Sequence, residues 1–175
     1  LTKKNKKYRG ELLYDSNDLS KISKNIYYKD IAIVNQYSKK PFFNTVYNYI
    51  YNYVSSKNEK SKVKKYTDSI ISKMNLKYIK SLKVRNLTHN QFRWVDLAAK
   101  IAANTKVLFI DEIDNGFSQQ RLKNLSKILY RKCNYDGVTL VATCSDFHSF
   151  SNLTSVLVSI SNGRISSIRS KNKRK

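Results

Sequence analysis

The chain is short of residues that bend, bridge or carry negative charge. Across 175 residues it holds one proline, four glycines and two cysteines, with 12 acidic residues against 34 lysines and arginines. The single Pro41 is the only position where the chain must break, since proline lacks an N–H and fixes φ. A backbone loop that wraps phosphate needs glycines, because side chains block the approach. None of Gly10, Gly116, Gly137 and Gly163 lies in a Gly-x-x-x-x-Gly-Lys-Ser/Thr pattern, so no such loop occurs in these residues. Cys133 and Cys144 have no metal-ligand spacing and read as small apolar residues of a reducing compartment. No apolar run approaches the roughly 18 residues of a membrane span. The basic N-terminus leads into no apolar signal segment.

What is abundant is positive charge, +22 in all. Such a charge points to anionic partners in general. The lysines are scattered, however, and Lys, Asn, Tyr and Ile are over-used together, as AT-rich coding produces. No nucleic-acid motif accompanies them, so no specific nucleic acid is expected. The ends are denser: Lys3, Lys4, Lys6, Lys7 and Arg9 at the start, Arg169 and Lys171–Lys175 at the finish. These tails are expected to be solvated and able to touch acidic lipid or partners.

Hydrophobic spacing gives the elements. Gly10–Asp15 reads as a strand, Ser16–Lys24 as a polar connector and Asp30–Gln36 as a second strand. After Pro41, Val46, Tyr49, Ile50 and Tyr53 share one helix face, and Val63, Tyr66, Ile70 and Met74 share another. Residues 42–86 thus form a small helical insertion. A helix over Gln91–Ala103 carries Val95, Ala98, Ala99 and Ala102 at close-packing positions, and the strand Lys106–Ile110 follows. Ser118 suits the N-cap of a helix over Gln119–Lys132. Val138–Thr143 and Leu153–Ile160 are strands, and Asn162-Gly163 is a hairpin signal that returns the chain through Arg164–Ile168. Strands alternating with helices predict an α/β fold with a mainly parallel sheet and antiparallel strands at its margins.

The stretch Asn86–Ser118 concentrates the chemistry. Its bare apolar strand Val107-Leu108-Phe109-Ile110 runs straight into Asp111-Glu112. Carboxylates at the end of a buried strand are costly unless they are paired or hold a metal. Strand C-terminal ends are where α/β sheets place ligands. The bland alternative is that both acids cap the segment that follows.

With these elements in order, the chain resembles the nucleotide-binding domain of ATP-binding cassette (ABC) ATPases from about Arg9 to Ile168. Gly10-Glu11-Leu12 resembles the family's Gly-Glu-Ile strand, and Ile33-Val34-Asn35-Gln36 its Q-loop. Leu87–Gln91 stands where the signature Leu-Ser-Gly-Gly-Gln occurs, and Val107–Glu112 resembles a Walker B strand. Asn115–Ser118 resembles the D-loop, Val138–Asp146 the switch strand, and Val156–Ile165 the closing hairpin.

The resemblance implies a P-loop NTPase-like fold, incomplete here, with a helical subdomain and an edge β-hairpin. Residues 1–41 would be the first part of the ATPase core, 42–86 the helical subdomain, 87–168 the rest of the core and 169–175 a basic tail. The phosphate (Walker A) loop is expected upstream of Leu1, in a longer polypeptide; the alternative is a truncated copy that lacks it. ATP and Mg²⁺ are the implied ligands. Asp111 would hold the metal through water, Glu112 would polarise the attacking water, and Gln36 would reach either. Thr88, Asn90 and Gln91 would face the ATP of a second nucleotide-binding domain, identical or not. His89 and Asn90 stand in place of two glycines, Ser118 in place of the D-loop carboxylate and Ser145 in place of the switch histidine. His148, three residues later, would need a register change to serve. These departures imply weak or asymmetric hydrolysis, coupled to a transmembrane domain in the same or another chain at the cytoplasmic face of the cell membrane. A catalytically inactive nucleotide-binding or regulatory module is the alternative. A DNA-associated ABC ATPase fits less well, because 42–85 is too short for its long coiled coil.

Overall fold

In the computed structural model, residues 10–14 and 16–170 are described. The terminal basic clusters therefore lie outside them, apart from Arg169, as does Asp15. The apolar run Val107–Ile110 is β4, the middle of three parallel strands. On one side it pairs with β3 (Ile31–Val34), aligning Val34 with Ile110; on the other it pairs with β5 (Thr139–Ala142), aligning Ile110 with Ala142. Thr139 and Thr143 both turn their N–H groups to β4, donating to the Lys106 and Ile110 carbonyls. Alternation along a parallel strand then sends the N–H groups of Leu140 and Ala142 to the opposite edge, which no other described strand pairs and where the Leu140 N–H meets the Cys133 thiol.

One face of this sheet carries the main core. Ala32, Val34, Leu108 and Ile110 pack there with two helices, α4 (His89–Ala102) and α5 (Gln119–Asn134). Small Ala98 and Ala99 are fully buried and let α4 lie close to its neighbours. Its start is fixed by Thr88, whose hydroxyl accepts from the Gln91 N–H while the Gln91 side chain accepts from the Thr88 N–H. Ser118 caps α5 as anticipated, accepting from the Arg121 N–H; such a cap contributes about 1 kcal/mol. Helices α2 (Val46–Ser55) and α3 (Lys60–Lys73) form the helical insertion. Val46, Ile50 and Val54 are its buried stripe on α2. The Trp94 indole N–H donates to the Met74 carbonyl, tying α4 to the end of the insertion.

The other face is only partly covered. Ile33, Val107 and Phe109 pack beside a small cluster of Leu19, Tyr27 and Ile31. Toward β5 the cover ends, leaving Thr139 and Val141 exposed. Parallel sheets are normally covered on both faces.

Several boundaries differ from the expectations. Among the described residues of the first strand, Leu13–Tyr14 form β1, paired antiparallel with Asn17–Asp18 (β2) inside the supposed connector. A helix, α1 (Lys24–Asp30), precedes β3 and buries Tyr27 alone, so it has no apolar stripe to announce it. The closing hairpin β6 (Val156–Ser161) and β7 (Arg164–Ser170) turns at Asn162-Gly163 as expected, but is a separate two-stranded sheet. Among the described residues, no helix is long and apolar enough to cross a membrane.

Candidate functional site

Beyond Ile110 the chain leaves the sheet through a constrained turn. The Asp111 N–H donates the last ladder bond to the Val34 carbonyl (3.0 Å), and the Ile113 N–H donates to the Thr143 carbonyl (2.9 Å). Between them Glu112 sits at φ 48°, in the left-handed region. Holding a non-glycine residue there costs about 1–2 kcal/mol and needs surrounding bonds to fix it.

Those bonds converge on the two acids. The Thr143 hydroxyl donates to Asp111 Oδ1 and accepts from the Glu112 N–H, both at 2.8 Å. Gln36 Nε2 (2.9 Å) and Asn115 Nδ2 (2.6 Å) both donate to Glu112 Oε2. Beneath them lies the buried guanidinium of Arg93, only 5% exposed. It donates to the backbone carbonyls of Asp111, Glu112 and Gln36. One α4 side chain thus joins the Gln36 loop to the carboxylate turn.

The burial argument for the two acids is corrected by their surroundings. Asp111 is exposed and Glu112 half-buried, because β4 ends at a rim and the acids stand beyond the packed strand. Fixed orientation, rather than burial, is what sets them apart.

The signature-like turn lies close by. Thr88 and Gln91 are engaged in capping each other. His89 packs against Tyr37, with ring centroids 5.5 Å apart. Asn90 lies against Gly116, where an added Cβ would meet its Oδ1 at 2.9 Å. Gly116 also has φ 79°, so it suits neither the backbone nor the space of a side chain. Gly116→Ala should cost about 1–2 kcal/mol in urea unfolding. Adding Asn90→Ala should recover only the steric share.

Gln36, Asp111 and Glu112 therefore meet in one site, and Asn90 touches the turn that carries Asn115. Ser118 uses its hydroxyl on α5. Ser145 is reached through its backbone: its N–H (3.0 Å) and that of Asp146 (2.8 Å) donate to Asp114 Oδ2. Sequence reasoning missed Arg93, Thr143, Asn115 and Asp114. Thr143 was accessible in principle, since the β4–β5 register places it beside Asp111.

A second buried polar group locks the insertion to α4. Asp96 is 1% exposed and accepts from the Tyr49 hydroxyl, the Lys100 ammonium and the Ser38 hydroxyl. Burial, with Asp96 nearby, pushes Tyr53 up from 10.0 to about 12 and raises Tyr49 as well. The folded chain then holds these protons more tightly than the unfolded chain. For Tyr53 that stabilisation is complete below pH 10 and is lost as pH rises through about 12, and for Tyr49 the loss runs higher still. Urea midpoints should fall steeply above about pH 10, by up to ~1.4 kcal/mol per pH unit for each tyrosine. Tyr53→Phe should flatten that slope.

Among the described residues no three His, Cys, Asp or Glu side chains cluster to hold a metal ion unaided. Mg²⁺ does not require such a cluster, since one or two carboxylates complete its shell with water and substrate phosphates. Asp111 and Glu112 fit that part of a magnesium–nucleotide site. The four glycines do not fit the phosphate part: each has positive φ, but Gly10, Gly137 and Gly163 have nothing within 4 Å of a built Cβ and Gly116 faces Asn90.

A family model described as ABC transporter matches residues 1–115. No curated protein matches in sequence. Among solved structures, the ATP-binding cassette MJ0796, a dimer in a post-hydrolysis state bound to ADP and Pi, is 15% identical with a TM-score of 0.79. That match covers 93% of this chain and 73% of the other. An ATP-binding subunit of an ABC transporter is 12% identical with a TM-score of 0.81, covering 93% and 67%. The cbiO1 protein of Clostridium perfringens, part of the transporter complex cbiONQ, is 21% identical with a TM-score of 0.69, covering 91% and 65%. At these identities the structures show the fold, and the family model covers well over half of the chain. The chain belongs to the ABC transporter family and has the fold of its ATP-binding domain.

Proposed function

We propose that this chain is the larger part of an ATP-hydrolysing domain that drives transport across a membrane. The observation that carries the proposal is the fixed pair at the end of β4: Asp111 oriented by Thr143, and Glu112 oriented by Gln36 and Asn115. In this reading Val107–Glu112 is the Walker B strand. Asp111 would hold Mg²⁺, which when bound would supply charge neutralisation at the phosphates. Glu112 orients the attacking water and takes its proton, while Gln36 links that site to the membrane partner. Thr88, Asn90 and Gln91 face the ATP of a second such domain, and Ser118 and Ser145 flank it. The ADP- and Pi-bound dimer and the multi-subunit transporter among the similar structures support this assembly at the cytoplasmic face of a membrane. Residues 1–41 and 87–168 make the core, and 42–86 the lobe that carries closure.

The phosphate half comes from polypeptide outside these 175 residues. The edge of β5 that no described strand pairs and the face left exposed among the described residues at Thr139 and Val141 support that placement. The test is binding of a fluorescent ATP analogue, with and without Mg²⁺, to the 175-residue chain and to a chain extended by its natural upstream residues. Magnesium-dependent binding only to the extended chain, lost in Asp111→Asn, is the expected result. Equal binding to both, or an Asp111→Asn variant that retains it, would sink the proposal.

A second reading keeps nucleotide binding without turnover. It is favoured by the Asn90 side chain, which fills the space beside Gly116 where the signature pattern has only glycine. Turnover by the extended chain separates the two.

A further inference from the structure

Away from the carboxylates, α3 and α5 leave a cleft of about 1040 Å³ between them. Its floor is aliphatic, with buried Ile70, Ala102 and Ile128. Its walls are basic on both sides: Lys65 and Lys73 from α3 face Lys127 and Arg131 from α5. The only acid among the lining residues is Asp136, and Lys132 already holds it at 2.8 Å. Two cationic walls thus oppose each other across an apolar floor without internal compensation. Like charges repel, so an anionic occupant would relieve the repulsion while its apolar side lies over the aliphatic floor.

We infer that this cleft docks an acidic amphipathic helix of another protein. A helix laid into a groove between two helices is a recurring recognition mode, with apolar anchors at i, i+3 or i+4 and i+7. Two turns of helix, roughly 10–12 Å across with a pitch of 5.4 Å, fill on the order of 1000 Å³. The occupant is not another copy of this chain. Its helices are acid-poor: α2 and α5 carry no acid, α3 carries Asp68 alone as an interior acid, and the Asp96 of α4 is buried. A flat bilayer would meet the rim lysines but not the floor. Single-stranded nucleic acid is the nearest rival, because Tyr66 and Tyr130 stand in the walls. Stacking needs exposed ring planes as the base of the groove, and here the base is aliphatic.

The test is fluorescence anisotropy with the 175-residue chain at about 0.15 M salt, where charges more than ~8 Å apart are screened. The probe is a labelled peptide of about twelve residues, Glu-rich with leucines at helical anchor spacing. A peptide of the same composition with scrambled leucines is the control for charge alone. The amphipathic peptide should bind about tenfold more tightly than the scrambled one. Lys127→Glu/Arg131→Glu should weaken it by at least about tenfold, whereas Lys21→Glu/Lys77→Glu, the same charge change elsewhere on the surface, should not. Far-ultraviolet circular dichroism confirms that both double variants fold. Equal affinity for the two peptides, or equal loss in the two variants, overturns the proposal. So does an oligothymidylate that binds more tightly than the amphipathic peptide and is lost in the cleft variant alone, which would make the cleft a single-strand site.

Discussion

Replacing Arg93 by methionine is expected to cost the fold about 3–4 kcal/mol and to lower the melting temperature by roughly 10 °C. The reason lies in what its guanidinium holds. Three backbone carbonyls, of Gln36, Asp111 and Glu112, accept from one buried side chain. A carbonyl deprived of its donor loses about 1–3 kcal/mol if water does not replace it. Methionine keeps the aliphatic stem and removes only the donors, so packing is a minor part of the loss. Arg93→Lys should recover a fraction, because one ammonium cannot reproduce a planar fork reaching three acceptors. Thermal melts of the three proteins give the comparison. A methionine variant within ~1 kcal/mol of the parent would mean that water satisfies these carbonyls and that Arg93 does not brace the site.

Glu112→Gln is the variant with the largest expected effect on activity. In the chain completed upstream, it should lower ATP turnover by about 10²–10⁴-fold, the usual contribution of a positioned general base. The backbone at Glu112 is held by Thr143 and Arg93, neither of which touches the altered carboxylate. The glutamine therefore takes the same place and loses mainly the ability to accept a proton. Nucleotide affinity should persist, which separates lost chemistry from lost binding. Turnover unchanged by the substitution would remove Glu112 as the base. An extended chain that binds ATP but never turns it over would leave the inactive-module reading.

Much of this arrangement was legible in the sequence where it rests on repetition along the chain. The run Val107–Ile110, the stripes on α2 and α5 and the Asn162-Gly163 turn each carry their own signal. The helix Lys24–Asp30 did not, because one buried tyrosine makes no periodicity. The carboxylates were found, but for a reason that needed correction: they are oriented at an exposed rim, not buried. Of the residues that orient them, Gln36 was named through the resemblance, and the others were hidden for different reasons. Arg93 looks like an isolated charge on an apolar helix until the carbonyls beneath the sheet end are placed around it. Thr143 becomes visible only when strand register sets it beside Asp111. Asn115 and Gln36 are 79 residues apart, counted as 115 minus 36, and meet on one oxygen through the fold alone.

The central claim is that the three-stranded sheet is completed at β5 by a phosphate-binding strand and helix from outside these residues. Amide hydrogen exchange of β5 tests it most directly, because the strand's own N–H groups report both edges. Thr139 and Thr143 donate inward to β4, while Leu140 and Ala142 point to the other edge, where the Leu140 N–H already meets the Cys133 thiol. In the chain extended by its natural upstream residues, the Ala142 amide should gain about 100-fold or more in protection over the 175-residue chain, with little change at Val141. Equal exchange of Ala142 in the two chains would contradict the claim.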